Sequence, residues 1–181
     1  MNRFALLSLT GRDRPGIVSC TARVLFEAGC NIEDSSMTRL RGQFTCMLAL
    51  KLPEGLEASS LADRFNELST EMDLAIHVRA LPEDARPDPE SEDRGCFIHV
   101  LGADKPGIVY RTARILEQLS VNVIDLQTQV IGSKSRPIYA MSIEAELAAE
   151  GDLEPLGKQL SKLAHELGVE ITVRPNEQFT L

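Results

Sequence analysis

Positive charge is the first thing this chain has little of. Lysine and arginine number 19 against 27 aspartates and glutamates, a formal net charge of -8. The chain as a whole is therefore repelled by phosphate backbones, and direct nucleic-acid binding is not expected. Long apolar runs are also missing: none reaches the roughly 18 residues that suggest a membrane span. The opening MNRFALLSLTGRDRP breaks too early for a signal peptide, so the expectation is a cytoplasmic protein without a membrane partner. Cys20, Cys30, Cys46 and Cys96 show neither C-x-x-C spacing nor a compact disulfide framework. Free, mostly buried thiols are expected instead.

Catalytic signatures are absent as well. His77, His99 and His165 have no i, i+4 partner and no nearby cysteine or carboxylate at ligand spacing, so neither a metal site nor a cofactor is expected. There is no G-x-S-x-G elbow and no cysteine with a base placed for it. Glu33 and Asp34 are adjacent on a strand and fall on opposite faces, where they cannot share a substrate bond. The sequence points away from an enzyme.

What the chain does have is a repeat. GRDRPGIV, Gly11 to Val18, returns as GADKPGIV, Gly102 to Val109. Gly11–Asp34 aligns with Gly102–Asp125 at a constant offset of 91 without a gap, and half of the aligned positions are identical. After Asp125 the second copy carries three extra residues around Gly132–Pro137, and the register then resumes through Met47/Met141 and Val78-Arg79/Val173-Arg174. Within 181 residues of 43% apolar and 25% charged composition, this duplication predicts two small folded domains.

Each copy reads alike. An apolar stretch, Phe4–Leu9 or Cys96–Leu101, ends at the glycine as a strand. From Gly16 the set Val18, Ala22, Leu25 with Ile17, Thr21, Val24 has helical spacing, and proline is tolerated in a first turn. Asn31–Leu40 and Gln43–Leu52, joined by Arg41-Gly42, form a hairpin candidate. Leu61, Phe65, Leu68 and Met72 step at i, i+4, i+7, i+11, matched by Leu153, Leu156, Leu160, Leu163 and Leu167, and predict a second helix. Last strands follow at Leu74–Ala80 and Val169–Arg174. The order βαββαβ, twice, predicts an α+β ferredoxin-like fold: a four-stranded antiparallel sheet with both helices on one face. The domains are expected at 1–80 and 96–181. Between them Leu81–Gly95, with three prolines and six acidic residues, reads as a semi-stiff, solvated tether.

The octapeptide admits two readings. The first amides of a helix have no partner inside it and, with the macrodipole, favour an anion, by about 0.3–1 kcal/mol when exposed and about 2 when partly buried. A carboxylate fits there. Asp13 and Asp104 offer a counter-charge to an ammonium, so together the loop matches an α-amino acid. Asn31 and Asn122, opening the next strand, are expected alongside the end of the first, where a side-chain amide serves either pole. The structural alternative is that the aspartate caps the helix and the asparagine occupies a left-handed turn. A nucleotide loop is excluded, since Ile17-Val18 and Ile108-Val109 stand where a P-loop has lysine and a hydroxyl.

The pattern G-x-D-[RK]-P-G-I-V, a helix with T-A-R, then C-N-I-E-D-S-S or V-N-V-I-D, resembles tandem ACT domains, the small-molecule sensing modules attached to many amino-acid-metabolism enzymes. The resemblance covers both halves. It implies the βαββαβ fold, pairing of ACT domains through their sheets, a homo-oligomer, and amino-acid ligands held at domain interfaces by the strand-to-helix loop. Carried over by position, the ligand residues are Gly11, Asp13, Gly16 and Asn31, and Gly102, Asp104, Gly107 and Asn122. ACT loops often have asparagine where this chain has Asp13 and Asp104.

The copies differ where it matters. Ser19-Cys20 becomes Tyr110-Arg111 in the second helix, larger side chains that would cover or fill a neighbouring site, so unequal sites are expected. A four-stranded sheet leaves one face open, and Leu6, Phe97 and Leu101 make it partly apolar, so association is expected. Two functional classes follow. The first is a regulator that answers to glycine or another small amino acid and acts by contacting a protein such as a DNA-bound transcription factor. The second is a dissociable regulatory subunit of a biosynthetic enzyme.

Overall fold

The computed structural model describes residues 3–82, 94–133, 136–148 and 152–176. The chain divides into two compact units, Met1–Arg86 and Pro87–Leu181. Of the tether expected at 81–95, residues 83–93 lie outside the described residues, while Leu81 closes one strand and Gly95 opens the next.

In the first unit the order is β1 (Phe4–Arg12), α1 (Ile17–Glu27), β2 (Asn31–Leu40), β3 (Gln43–Lys51), α2 (Ala58–Asp63), α3 (Asn66–Met72) and β4 (Leu74–Leu81). The second repeats it as β5 (Gly95–Gly102), α4 (Ile108–Gln118), β6 (Asn122–Ser133), β7 (Arg136–Glu146), α5 (Leu153–Leu167) and β8 (Val169–Pro175). The two sheets have strand orders β2-β3-β1-β4 and β6-β7-β5-β8, with every neighbour antiparallel. This is the α+β architecture that the repeat predicts.

Alternation sets each core. Ala5, Leu7 and Leu9 on β1 and Phe44, Cys46, Leu48 and Leu50 on β3 turn inward, where Ile17, Thr21 and Leu25 of α1 meet them one turn apart. Cys96, Ile98 and Val100, with Ile108, Thr112 and Leu116 of α4, repeat the arrangement. At the β2–β3 turn, Arg41 (φ 49°) and Gly42 (φ 78°) both have positive φ, the requirement of a type I′ hairpin whose twist suits the flanking strands. The first strand does not stop at its glycine: β1 runs on to Arg12, with Gly11 paired to Phe44 and Leu74.

The second helix of the first unit is interrupted. Leu61, Phe65, Leu68 and Met72 predict one helix, but Arg64 and Phe65 donate to Leu61 and Ala62, three residues back, at 3.1 and 3.0 Å. That tightening separates α2 from α3 while keeping Leu61, Phe65 and Leu68 buried. In the second unit α5 is continuous over 15 residues, from Asp152, which accepts the Glu154 amide at 2.9 Å, to a left-handed Gly168.

Both outer strands β2 and β6 are exposed along their whole length. They carry Ile32, Met37 and Leu40, and Val123, Ile124, Val130 and Ile131. Leu6 and Phe97 are half-buried and Leu101 exposed on the sheet faces away from the helices. There the Phe97 and His99 rings stack, 6.5 Å between centroids.

Candidate functional site

The strand-to-helix loop turns on two glycines with different jobs. A Cβ on Gly11 would sit 2.6 Å from Leu74 Cδ2 and 2.9 Å from the Asp73 carbonyl oxygen. On Gly102 it would sit 2.6 and 2.9 Å from Val169 Cγ1 and Cβ. These glycines let the first strand press against the start of the last, and packing accounts for them without a ligand. Gly16 and Gly107 are the N-caps of α1 and α4, with φ of 100° and 94°, and neither helix has a side-chain cap or an acidic residue in its first turn. Asp13 and Asp104 are thus not helix caps. Among the described residues no side chain caps the first turn of either helix, which leaves its amides to an anion from outside the helix.

The two aspartates have different surroundings. Asp13 Oδ2 lies 3.2 Å from Arg39 Nη1 on β2, and its amide donates to the Gly42 carbonyl at 2.9 Å. It therefore already holds a cation. Asp104 is exposed and makes no ion pair among the described residues. Between aspartate and proline stands a residue whose role the sequence reading missed. Arg14 Nη2 donates to the Glu71 carbonyl at 2.9 Å, and Lys105 Nζ to the Leu167 carbonyl at 2.6 Å. Each caps the C-terminal turn of the unit's last helix, where a cation meets unpaired carbonyls and the negative end of the macrodipole. The signal was the basic residue kept at one step of both octapeptides.

The asparagines are not where the sequence reading puts them. β3 separates β1 from β2, and Asn31 pairs with Lys51, which pairs with Phe4, while Gly11 pairs with Phe44 and so with Arg39. Asn31 is therefore at the far end of the sheet, seven residues or about 23 Å along the strands from the loop. Asn122, opposite Glu146 and in line with Gly95, stands likewise apart from Gly102. Asn31 Nδ2 donates to Glu33 Oε1 at 2.9 Å. The structure brings Gly11, Asp13 and Gly16 together, and Gly102, Asp104 and Gly107, but neither asparagine joins its own loop.

Beside the α1 N-terminus, Asp13, Gly16, Ser19 and Phe44 line an open pocket of about 430 Å³. It shares Ile17, Val18, Ala22 and Phe44 with an apolar cleft of about 150 Å³ between α1 and β2. In the second unit Tyr110 is exposed with Arg114 over its ring, and Arg111 pairs with Glu166. Arg111 and Tyr110 line a groove of about 590 Å³ with Lys162 and Glu166, toward α5 and away from β6. The larger pair thus builds a charged groove between α4 and α5.

Burial is also written in the titrating groups. Cys46 and Cys96 are buried and Cys20 and Cys30 half-buried, all four free. Desolvation pushes the Cys30, Cys46 and Cys96 thiols up, with Arg64 partly opposing it at Cys30. Tyr139 is likewise raised, first by burial; a hydrogen bond with Thr128 opposes and the Asp104 charge adds. No described helix is long and apolar enough to cross a membrane.

With the geometry in place, comparison with known proteins gives consistent answers. A family model described as the ACT domain matches residues 3–79 and again 96–174. The chain is 27% identical over 170 residues to the glycine cleavage system transcriptional repressor of Escherichia coli, covering 92% of this chain and 87% of that one. Among solved structures, an unknown protein from Galdieria sulphuraria superposes with a TM-score of 0.80 at 22% identity, over 96% of this chain and 98% of the other. A candidate glycine cleavage system transcriptional repressor gives 0.66 at 22% identity, over 94% and 95%. At that identity the two structures speak for the fold.

Proposed function

Since the chain belongs to the ACT domain family, we propose that it is a non-catalytic, amino-acid-responsive regulator that controls transcription of glycine cleavage genes through a protein partner. The observation that carries this reading is the match, through both domains and almost end to end, to a transcriptional repressor. A charge of -8 supports action through a DNA-bound protein rather than on DNA.

In this reading the ligand is an amino acid, glycine in the simplest case. Its carboxylate meets the free amides that follow Gly16, or Gly107 in the second domain. Its ammonium faces Asp13 or Asp104. Asn31 and Asn122 then reach the ligand of another copy of the domain and not that of their own. Two edge strands pairing about a twofold axis run antiparallel, which sets the Asn31 end of one β2 beside the Leu40 end of the other. Exposure of β2 on both faces supports such pairing.

Deleting the gene in its host tests the regulatory claim. The glycine cleavage transcripts are expected to rise severalfold in medium without glycine and to fall when the gene is restored. Unchanged transcripts would sink it. The purified chain alone is expected to leave the corresponding promoter fragment unshifted in a gel.

A further inference from the structure

The apolar cleft of the first domain is continuous with the loop pocket. Ile17, Val18, Ala22 and Phe44 border both, and Ile32 and Met37 of β2, themselves exposed, form the opposite wall. Its volume of about 150 Å³ equals that of an apolar cavity large enough for benzene. Thr21 lines it at 2% exposure, and its hydroxyl, like that of its counterpart Thr112 in the second domain, has no hydrogen-bond partner among the described residues; what the first domain adds is open space beside it. A buried hydroxyl without a partner is costly. In a helix threonine χ1 divides between two rotamers, so a turn about χ1 exchanges its methyl and hydroxyl.

The second domain carries larger side chains at the corresponding positions, although Leu126 is itself 37% exposed. Ser35, Cys46 and Phe44, paired with Leu48, Met37 and Gly11, correspond to Leu126, Met141 and Tyr139, paired with Ile143, Thr128 and Gly102, so the strand register matches Met141 with Cys46 and not with Met47 as the sequence suggests. Met141 is buried, Tyr139 Oη lies 3.9 Å from its sulfur, and Thr128 hydrogen-bonds Tyr139. Leucine for serine and methionine for cysteine add bulk where the first domain keeps a cleft.

We infer that the first domain recognises an α-amino acid with an apolar side chain of about four heavy atoms, of the leucine or methionine kind, and not glycine. The head group sits at the α1 N-terminus and the side chain in the α1–β2 cleft, where a thioether accepts from Thr21. This inference rests on the amino-acid-responsive reading above and, for the first domain, replaces glycine by this ligand class.

Calorimetry on the full chain with glycine, leucine and methionine decides it. Leucine or methionine is expected to bind at least about tenfold more tightly than glycine, each buried methylene being worth a factor of about four. Ser35→Leu, which imports the second domain's residue on an exposed strand, is expected to abolish that preference and leave the melting temperature of the free protein unchanged. Thr21→Val is expected to weaken methionine more than leucine. If glycine binds as tightly as leucine and methionine, or if the preference survives Ser35→Leu, the inference fails and the regulatory reading stands. If none of the three binds at millimolar concentration, the inference and the amino-acid-responsive part of that reading fail together.

Discussion

The two domains keep the same residues where the backbone demands them and change them where a small molecule would be felt. Both carry a glycine against the first residue of the last strand, a left-handed glycine at the helix start, and a basic side chain on the last helix's carbonyls. Around the cleft they part: serine, cysteine and phenylalanine in one, leucine, methionine and tyrosine in the other. Asp13 is paired with Arg39, while Val130 takes the corresponding place opposite Tyr139 and Asp104 has no ion pair among the described residues. The strand-end glycines and the basic side chains therefore belong to folding, the aspartates and helix-start amides common to both loops offer a head-group site, and the differing positions decide which side chain could lie beside it.

The largest test of this division lies in the interrupted helix. Phe65, 1% exposed at the α2–α3 junction, corresponds to Leu160 within continuous α5. Phe65→Ala is expected to cost about 3–5 kcal/mol and Leu160→Ala about 2–5. Each should move only its own domain's transition when the full chain is unfolded in urea. A single transition shifted equally by both would mean that the domains unfold as one and that the comparison between them is less independent than drawn.

Next come the strand-end glycines. Gly11→Ala and Gly102→Ala each force a Cβ to within 3 Å of the neighbouring strand, and about 1–3 kcal/mol is expected from each. Thermal melting with amino acids present separates packing from binding: these variants are expected to lose stability with or without ligand. A variant that melts like the parent but no longer answers to amino acids would return Gly11 or Gly102 to the ligand site.

Much of this architecture was legible because the chain says it twice. The offset of 91 fixed equivalent elements before either was assigned, and the positive-φ turn at Arg41-Gly42 and the helix opening at Gly16 followed from local chemistry. The break at Arg64-Phe65 was not, since tightening one turn leaves the apolar row at 61, 65 and 68 facing the core and periodicity cannot register it. The place of Asn31 was hidden for another reason. Being next in the chain does not make β2 the neighbour of β1, and only the β3 register shows which end of the sheet it starts from. The role of Arg14 and Lys105 is likewise a contact across more than 50 residues, invisible to any local window. Removing that contact is the third test: Lys105→Ala and Arg14→Ala are expected to cost about 0.3–1 kcal/mol each, and less in high salt.

The smallest expected change in stability carries the finest discrimination. Arg39 is 72% exposed in its pair with Asp13 at 29%, and an ion pair so open to water contributes about 0–1 kcal/mol. Arg39→Val, which copies Val130, is therefore expected to lower the melting temperature of its domain by anything from nothing to about 4–8 °C. Its effect on ligand should be larger and of opposite sign. The guanidinium occupies the carboxylate that an incoming ammonium would use, so its loss leaves Asp13 with a free charge like that of Asp104, and amino-acid affinity is expected to rise severalfold at low salt. Should affinity fall instead, Arg39 itself would be gripping the ligand carboxylate, and the head group would lie reversed, with its ammonium away from the helix.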